Sequence, residues 1–197
     1  MAFPTIEAPY GLRPVKLVSG SPYNGVTRQY PIASGYNTSI FNGDAVTLVT
    51  AGTVERDAAD AAMTPIGIFL GCSYTDPNTK QKLFSQYYPA GTVASDIMAV
   101  VVDATDVLFK VAVVSAGTTI GDLAQTDVGA NAALVDNAGD TASGNSRVAI
   151  SDTSATTATL PVRIVELVQE TKNASGGFTE ALVKWNAGHQ FNNTTGI

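Results

Sequence analysis

The chain has 197 residues, 45% of them hydrophobic and only 14% charged, with a net charge of −6, one His and one Cys. That balance excludes a disordered polymer, which is rich in charge and poor in apolar residues. Eleven scattered basic residues against seventeen acidic ones argue against a protein that works by gripping phosphate backbones, and a lone Cys leaves stability to packing or assembly.

Residues 1–25 carry Pro4, Pro9, Pro14 and Pro22 among Phe3, Tyr10, Leu12 and Tyr23. Proline fixes φ and removes a backbone donor, so neither a helix nor a central strand is expected. The apolar side chains would sit poorly in water. An extended arm lying on another surface reconciles the two, because a pre-stiffened chain loses less entropy on docking. Phe3, Tyr10, Leu12, Arg13 and Tyr23 are its expected contact residues.

Strand patterning starts at Val26, with Val26, Tyr30 and Ile32 on one parity. Asn42-Gly43-Asp44 is a tight-turn sequence leading into a strand over 44–50, and Ala51-Gly52 turns the chain into 53–55. The Ala-rich stretch 57–63 predicts one or two helical turns that end before Pro65. Residues 66–70 form a short apolar strand, and Cys72 follows it as a small buried residue.

Residues 73–94 are a polar and aromatic excursion holding Lys80, Lys82, Tyr87 and Tyr88. The two lysines are the only close basic pair, too few for a phosphate track. Tyr suits interfaces because it buries area at small entropy cost, so these four join the expected partner surface. The clearest strands are 98–102 and 107–114. In the second, Val107, Phe109, Val111 and Val113 share a face and Lys110 takes the other.

Beyond Ala116 the chain turns to Ala, Gly, Asp, Asn, Ser and Thr, read as loops bracketing short strands near 134–135 and 148–150. A helix over 123–135 is the alternative, weakened by Gly129. Strands follow at 161–168 and 181–185, with a hairpin turn over 173–177 and a tail from 192. The fold class expected is all-β, a compact sandwich or barrel-like domain, single or split into two small subdomains. Its parts would be an arm over 1–25 and two β halves over 26–115 and 116–197. A faint echo between Asn42-Gly43-Asp44 and Ile120-Gly121-Asp122 hints at duplication.

Chemistry is sparse. His189 has no nucleophile motif to serve, and one His with one Cys is a poor start for zinc. Asp136-Asn-Ala-Gly-Asp140 lacks the ligand order and closing Glu of a calcium loop. Trp185 reads as a core anchor. The expectation is therefore no catalytic residue, no metal, no cofactor and no small-molecule substrate. No apolar run reaches the ~18 residues of a membrane span, and the N-terminus does not read as a secretion signal. A soluble protein made in the cytoplasm is expected.

Several segments together carry a resemblance: Tyr10-Gly-Leu-Arg-Pro-Val15 with Ser19-Gly-Ser-Pro-Tyr-Asn-Gly25, Phe41-Asn-Gly-Asp-Ala-Val46, Pro65-Ile-Gly-Ile-Phe-Leu-Gly71 and Val183-Lys-Trp-Asn-Ala-Gly-His-Gln190. In style and order they resemble the head decoration, or cement, proteins of tailed bacteriophages. The resemblance implies an all-β, non-enzymatic virion protein on the outer capsid surface. Its implied partner is the major capsid protein, bound as a homotrimer that ties neighbouring capsomers, with residues 1–25 as the arm. A receptor- or glycan-binding β module of a tail, spike or cell surface is the alternative.

Overall fold

A computed structural model describes residues 8–58, 60–61, 63–172, 177–186 and 188–192. The strands of the first half are β1 (Arg13–Leu17), β2 (Arg28–Pro31), β3 (Ala45–Leu48), β4 (Val54–Arg56), β5 (Gly67–Thr75), β6 (Lys82–Ser85) and β7 (Met98–Val102). Those of the second are β8 (Val107–Ala116), β9 (Thr119–Ile120), β10 (Asn131–Val135), β11 (Ala149–Ala155), β12 (Val162–Leu167) and β13 (Glu180–Trp185), with one four-residue helix, α1 (Gln169–Lys172). The all-β expectation is met.

Five strands close on themselves in the order β8, β11, β10, β12, β13 and back to β8. Every junction is antiparallel except β8 with β11. Closure removes the unpaired edges that an open sheet would present. The alternation read in the sequence decides what lies inside. Val107, Phe109, Val111 and Val113 of β8 join Leu134, Ile150, Ile164, Val183 and Trp185 in one buried cluster. The opposite face of β8 is not left to water. Ala112 and Val114 pack with Ala149 and Phe178, and Tyr10 covers them from outside.

The second sheet runs β2, β7, β5, β3, β4, with β6 pairing further along the edge of β5 that β3 occupies. One face builds its own core from Val46, Phe69, Cys72, Ala99 and Val101 with Ile40 and Tyr88. From the other face Ala45, Ile68 and Val102 enter the barrel's cluster. The two sheets thus share a core.

The described part of the expected arm is built into this body. β1 pairs with β8, its outer edge is covered by the return from Ser21 to Tyr23, and Leu12 is completely buried. Entry depends on a close crossing. Gly11 and Gly43 take φ of 80° and 99°, and a Cβ on Gly11 would stand 2.9 Å from the Gly43 backbone. Two residues without side chains let the main chains touch, and the Leu12 N–H donates to the Gly43 carbonyl at 3.0 Å.

Other expectations need adjusting. Strand β8 runs across 115/116, and the chain changes sheet twice, between β1 and β2 and between β7 and β8. The described residues of 57–63 contain no helical turn. The helix offered for 123–135 is a three-residue 3-10 turn at Gln125–Asp127 followed by β10, as Gly129 at φ 94° would suggest. The excursion after Ser73 is more regular than expected, since β5 runs on to Thr75 and pairs with β6 as a hairpin. The turn placed at 173–177 lies largely outside the described residues.

Candidate interaction surface

Of the nine residues expected to meet a partner, Phe3 lies outside the described residues. Two others are unavailable. Leu12 and Tyr88 have no exposed surface, the first inside the barrel cluster and the second in the core of the second sheet. The Tyr88 hydroxyl is spent on the Tyr36 carbonyl at 3.0 Å. Apolar side chains flanked by prolines have no evident seat in the monomer from sequence alone, whereas the crossing at Gly11 delivers Leu12 to the interior.

Tyr10 and Arg13 are half-buried and act within the chain. The Tyr10 hydroxyl donates to Glu180, a carboxylate almost fully buried on β13. Lys110 completes the cluster, 3.0 Å from Glu180 and lying over the Tyr10 ring. Burial first, then Glu180, pushes the phenol far above its ordinary range. Arg13 donates to Asn42 of the second sheet and, at 2.6 Å, to Asn145 of the barrel. Its guanidinium is a strut between the two bodies. Tyr23 packs on the barrel cluster and donates to the Val26 carbonyl at 2.7 Å.

The remaining three gather around the β5–β6 hairpin. Tyr87 stacks on Phe41 at 5.4 Å. Lys80 is exposed at the turn, its N–H donating to the Asp76 carbonyl at 2.9 Å. Lys82 pairs with Asp96 at 2.8 Å. That lysine, with the Thr75 N–H and hydroxyl, holds the Asp96 carboxyl well below the carboxylate range. Beside them a hollow of 440 Å³ is lined by Thr75, Asp76, Pro77, Lys80, Ala94, Ser95 and Asp96.

The sequence reading passed over the most conspicuous residue here, Phe84, which is 84% exposed on β6. Strand pairing aligns Phe84 with Ser73, Ser73 with Met98, and Met98 with Pro31. Directly paired residues share a sheet face, so a row crosses four strands from Pro31 to Phe84. It continues the face whose other end, Ile68 and Val102, the barrel covers. Met98 and Val100 are half-buried there, and Pro31 is exposed. Val93, 63% exposed, adds apolar surface in the loop before β7. Among the described residues β6 has no strand on its outer edge. A free edge beside a bare aromatic can accept an added strand or a flat apolar partner. The signal was present: Lys82 and Phe84 share a parity, and a strand that is polar at one such position exposes the other.

The acidic residues weighed for chemistry are occupied structurally. Asp136 pairs with Arg56, Asp140 accepts from the Ala142 N–H and the Ser143 hydroxyl within its own turn, and Asp103 holds Arg28 and Tyr30. Among the described residues no group of three or more His, Cys, Asp and Glu side chains is placed to hold a metal ion. No helix among them is long and apolar enough to cross a membrane. Comparison with protein-family models, curated proteins and solved structures finds no match in any of the three.

Proposed function

We propose that this protein is a non-enzymatic structural component of a virion, a decoration protein that binds the outer capsid surface and ties neighbouring capsomers together. The observation that carries the reading is the bare Phe84 ring on a free-edged strand, at the end of a row that also holds Met98 and Pro31, a surface that water alone does not favour. The resemblance of the segments around Tyr10, Phe41, Pro65 and Val183 to cement proteins of tailed phages supplies the partner, the major capsid protein. In this reading the protein acts as a homotrimer. Three weak attachments on one rigid body gain from effective concentration without new contacts, and closed three-fold symmetry suits a three-fold site on a shell. A net charge of −6 disfavours the DNA-filled interior and favours the outer face.

Purified protein mixed with undecorated heads should add density on the outer surface. Phe84→Ser should leave the melting temperature within about 2 °C, since the side chain is exposed, while lowering occupancy at least several-fold. Unchanged occupancy would remove Phe84 from the contact, and no density at all would end the capsid reading. The hollow lined by Thr75, Asp76 and Asp96 offers hydroxyl and carboxylate groups that could meet sugar hydroxyls, so a glycan-binding module is the second reading. Retention on a glycan array without attachment to heads would favour it.

A further inference from the structure

After Trp185 the chain leaves the barrel and runs back over the second sheet through 188–192. Gln190 fastens it three times. Its N–H donates to the Pro65 carbonyl at 2.9 Å. Its side-chain amide donates to the Leu48 carbonyl at 2.9 Å and accepts from the Leu48 N–H at 2.9 Å. Phe191 lies beneath the Arg28 guanidinium, 5.4 Å from ring centre to Cζ. A short strap rooted on the barrel is thereby tied to β3 and β2.

His189 sits at the middle of the strap with 1% of its surface exposed. Its ring lies 6.2 Å from Trp185 and 5.8 Å from Phe191. Nδ1 accepts from the Phe191 N–H at 3.2 Å, which requires a neutral ring with its hydrogen on Nε2. Nε2 is buried without a well-formed partner.

We propose that this strap is an acid-released latch: protonation of His189 turns Nδ1 from acceptor to donor, expels the ring from its aromatic seat and frees Gln190 from Leu48, releasing the strap from β3 while the shared core stays folded.

The surroundings offer the imidazolium little relief. Asp103, from the connector before β8, draws it weakly but is engaged by Arg28 at 3.0 Å and the Tyr30 hydroxyl at 2.7 Å. Arg28, above Phe191, is itself a cation. In the segment leading to Ile66, Asp57 accepts from the Thr64 N–H at 3.1 Å, and Asp60 stands further back in the same segment. Lys184 alternates away from Trp185 on β13, and Asp106 lies on the rim with Phe191. Burial accordingly lowers the proton affinity of His189 below its ordinary value, with the Ile66 backbone and Asp103 opposing only in part. The latched form binds the proton less readily than the released one. Latching is therefore fully favoured above the ordinary His range and is lost as pH falls through and below it.

Trp185 is the only Trp in the chain and lies against the imidazole, so it reports directly. Its emission should change reversibly between pH 8 and 5 with a midpoint below 6.5. Protection factors at the Leu48 and Gln190 amides, taken against the base-catalysed intrinsic rate at each pH, should fall on the order of tenfold over that range while those of Val111 and Val113 hold. In His189→Phe both responses should vanish. Gln190→Ala, which leaves the imidazole in place, should make the Leu48 amide exchange fast at every pH. A wild-type pH response surviving in His189→Phe, a response that moves with Asp57→Asn instead, or a Leu48 protection factor unmoved by pH or by Gln190→Ala would each overturn the latch.

Discussion

Arg56 stands 16% exposed between Asp44, 3.1 Å away and almost fully buried, and Asp136 at the end of a barrel strand. Burial outweighs its attraction and keeps the Asp44 carboxyl above the ordinary range. Without the arginine that carboxylate would keep only neutral donors, the Phe41 N–H at 2.8 Å and the Ser146 hydroxyl. Arg56→Met should cost about 3–5 kcal/mol at pH 7, the usual penalty for orphaning a buried charge. Denaturant melts at pH 4 should show a smaller loss, because a protonated Asp44 no longer needs a counter-charge. Asp57 makes the complementary case. Burial raises its carboxyl to about 6, above its unfolded value, so its contribution to stability is present at low pH and falls away as pH rises through about 6. Asp57→Asn keeps an acceptor for the Thr64 N–H and should stabilise the protein at pH 7.5 by on the order of 1 kcal/mol, after allowing for partial exposure. The gain should disappear near pH 4, which paired thermal melts would check.

At the level of the element, β1 is the piece that most changes expectation. Removing residues 1–7 leaves Leu12, the Gly11–Gly43 crossing and every β1–β8 pair in place. Removing 1–14 deletes Leu12 from the core and should cost about 2–5 kcal/mol for that side chain alone. Urea titration of the two truncations should place the loss between them; equal midpoints would show that β1 adds nothing. The strands themselves were largely readable, since β7 and β8 fall where alternation and β-branching put them and the turn at Gly43 where its dipeptide put it. What the sequence withheld was pairing. Proline at 14 argued against a central strand, and β1 is the end strand of its sheet, with a register shift between Pro14 and Lys16. The surface residues were harder still. Tyr88 and Leu12 look suited to a partner and are buried, while Phe84, unremarked within the 73–94 excursion, is bare. Side-chain type predicts the tendency to be buried; only tertiary pairing decides which apolar residue misses its cover.

For the whole molecule, the shared core carries a consequence for cooperativity. Ala45, Ile68 and Val102 of one sheet lie in the same cluster as the barrel strands, and Arg13, Arg56 and Gln190 tie the two bodies at separate points. Neither body keeps its interior if the other melts. Calorimetry near neutral pH should give a single transition with equal calorimetric and van't Hoff enthalpies. Two resolved peaks would mean the sheets unfold independently. The placement of β8 also bears on biosynthesis. This strand is flanked by β1 from near the start of the chain and by β13 from near its end. Once Ala116 has cleared the exit tunnel, a valine-lined ribbon is therefore outside whose closing neighbour has not yet emerged. Closure of the barrel waits until β13 has cleared the exit tunnel as well. Until then the nascent polypeptide shows chaperones a sticky face.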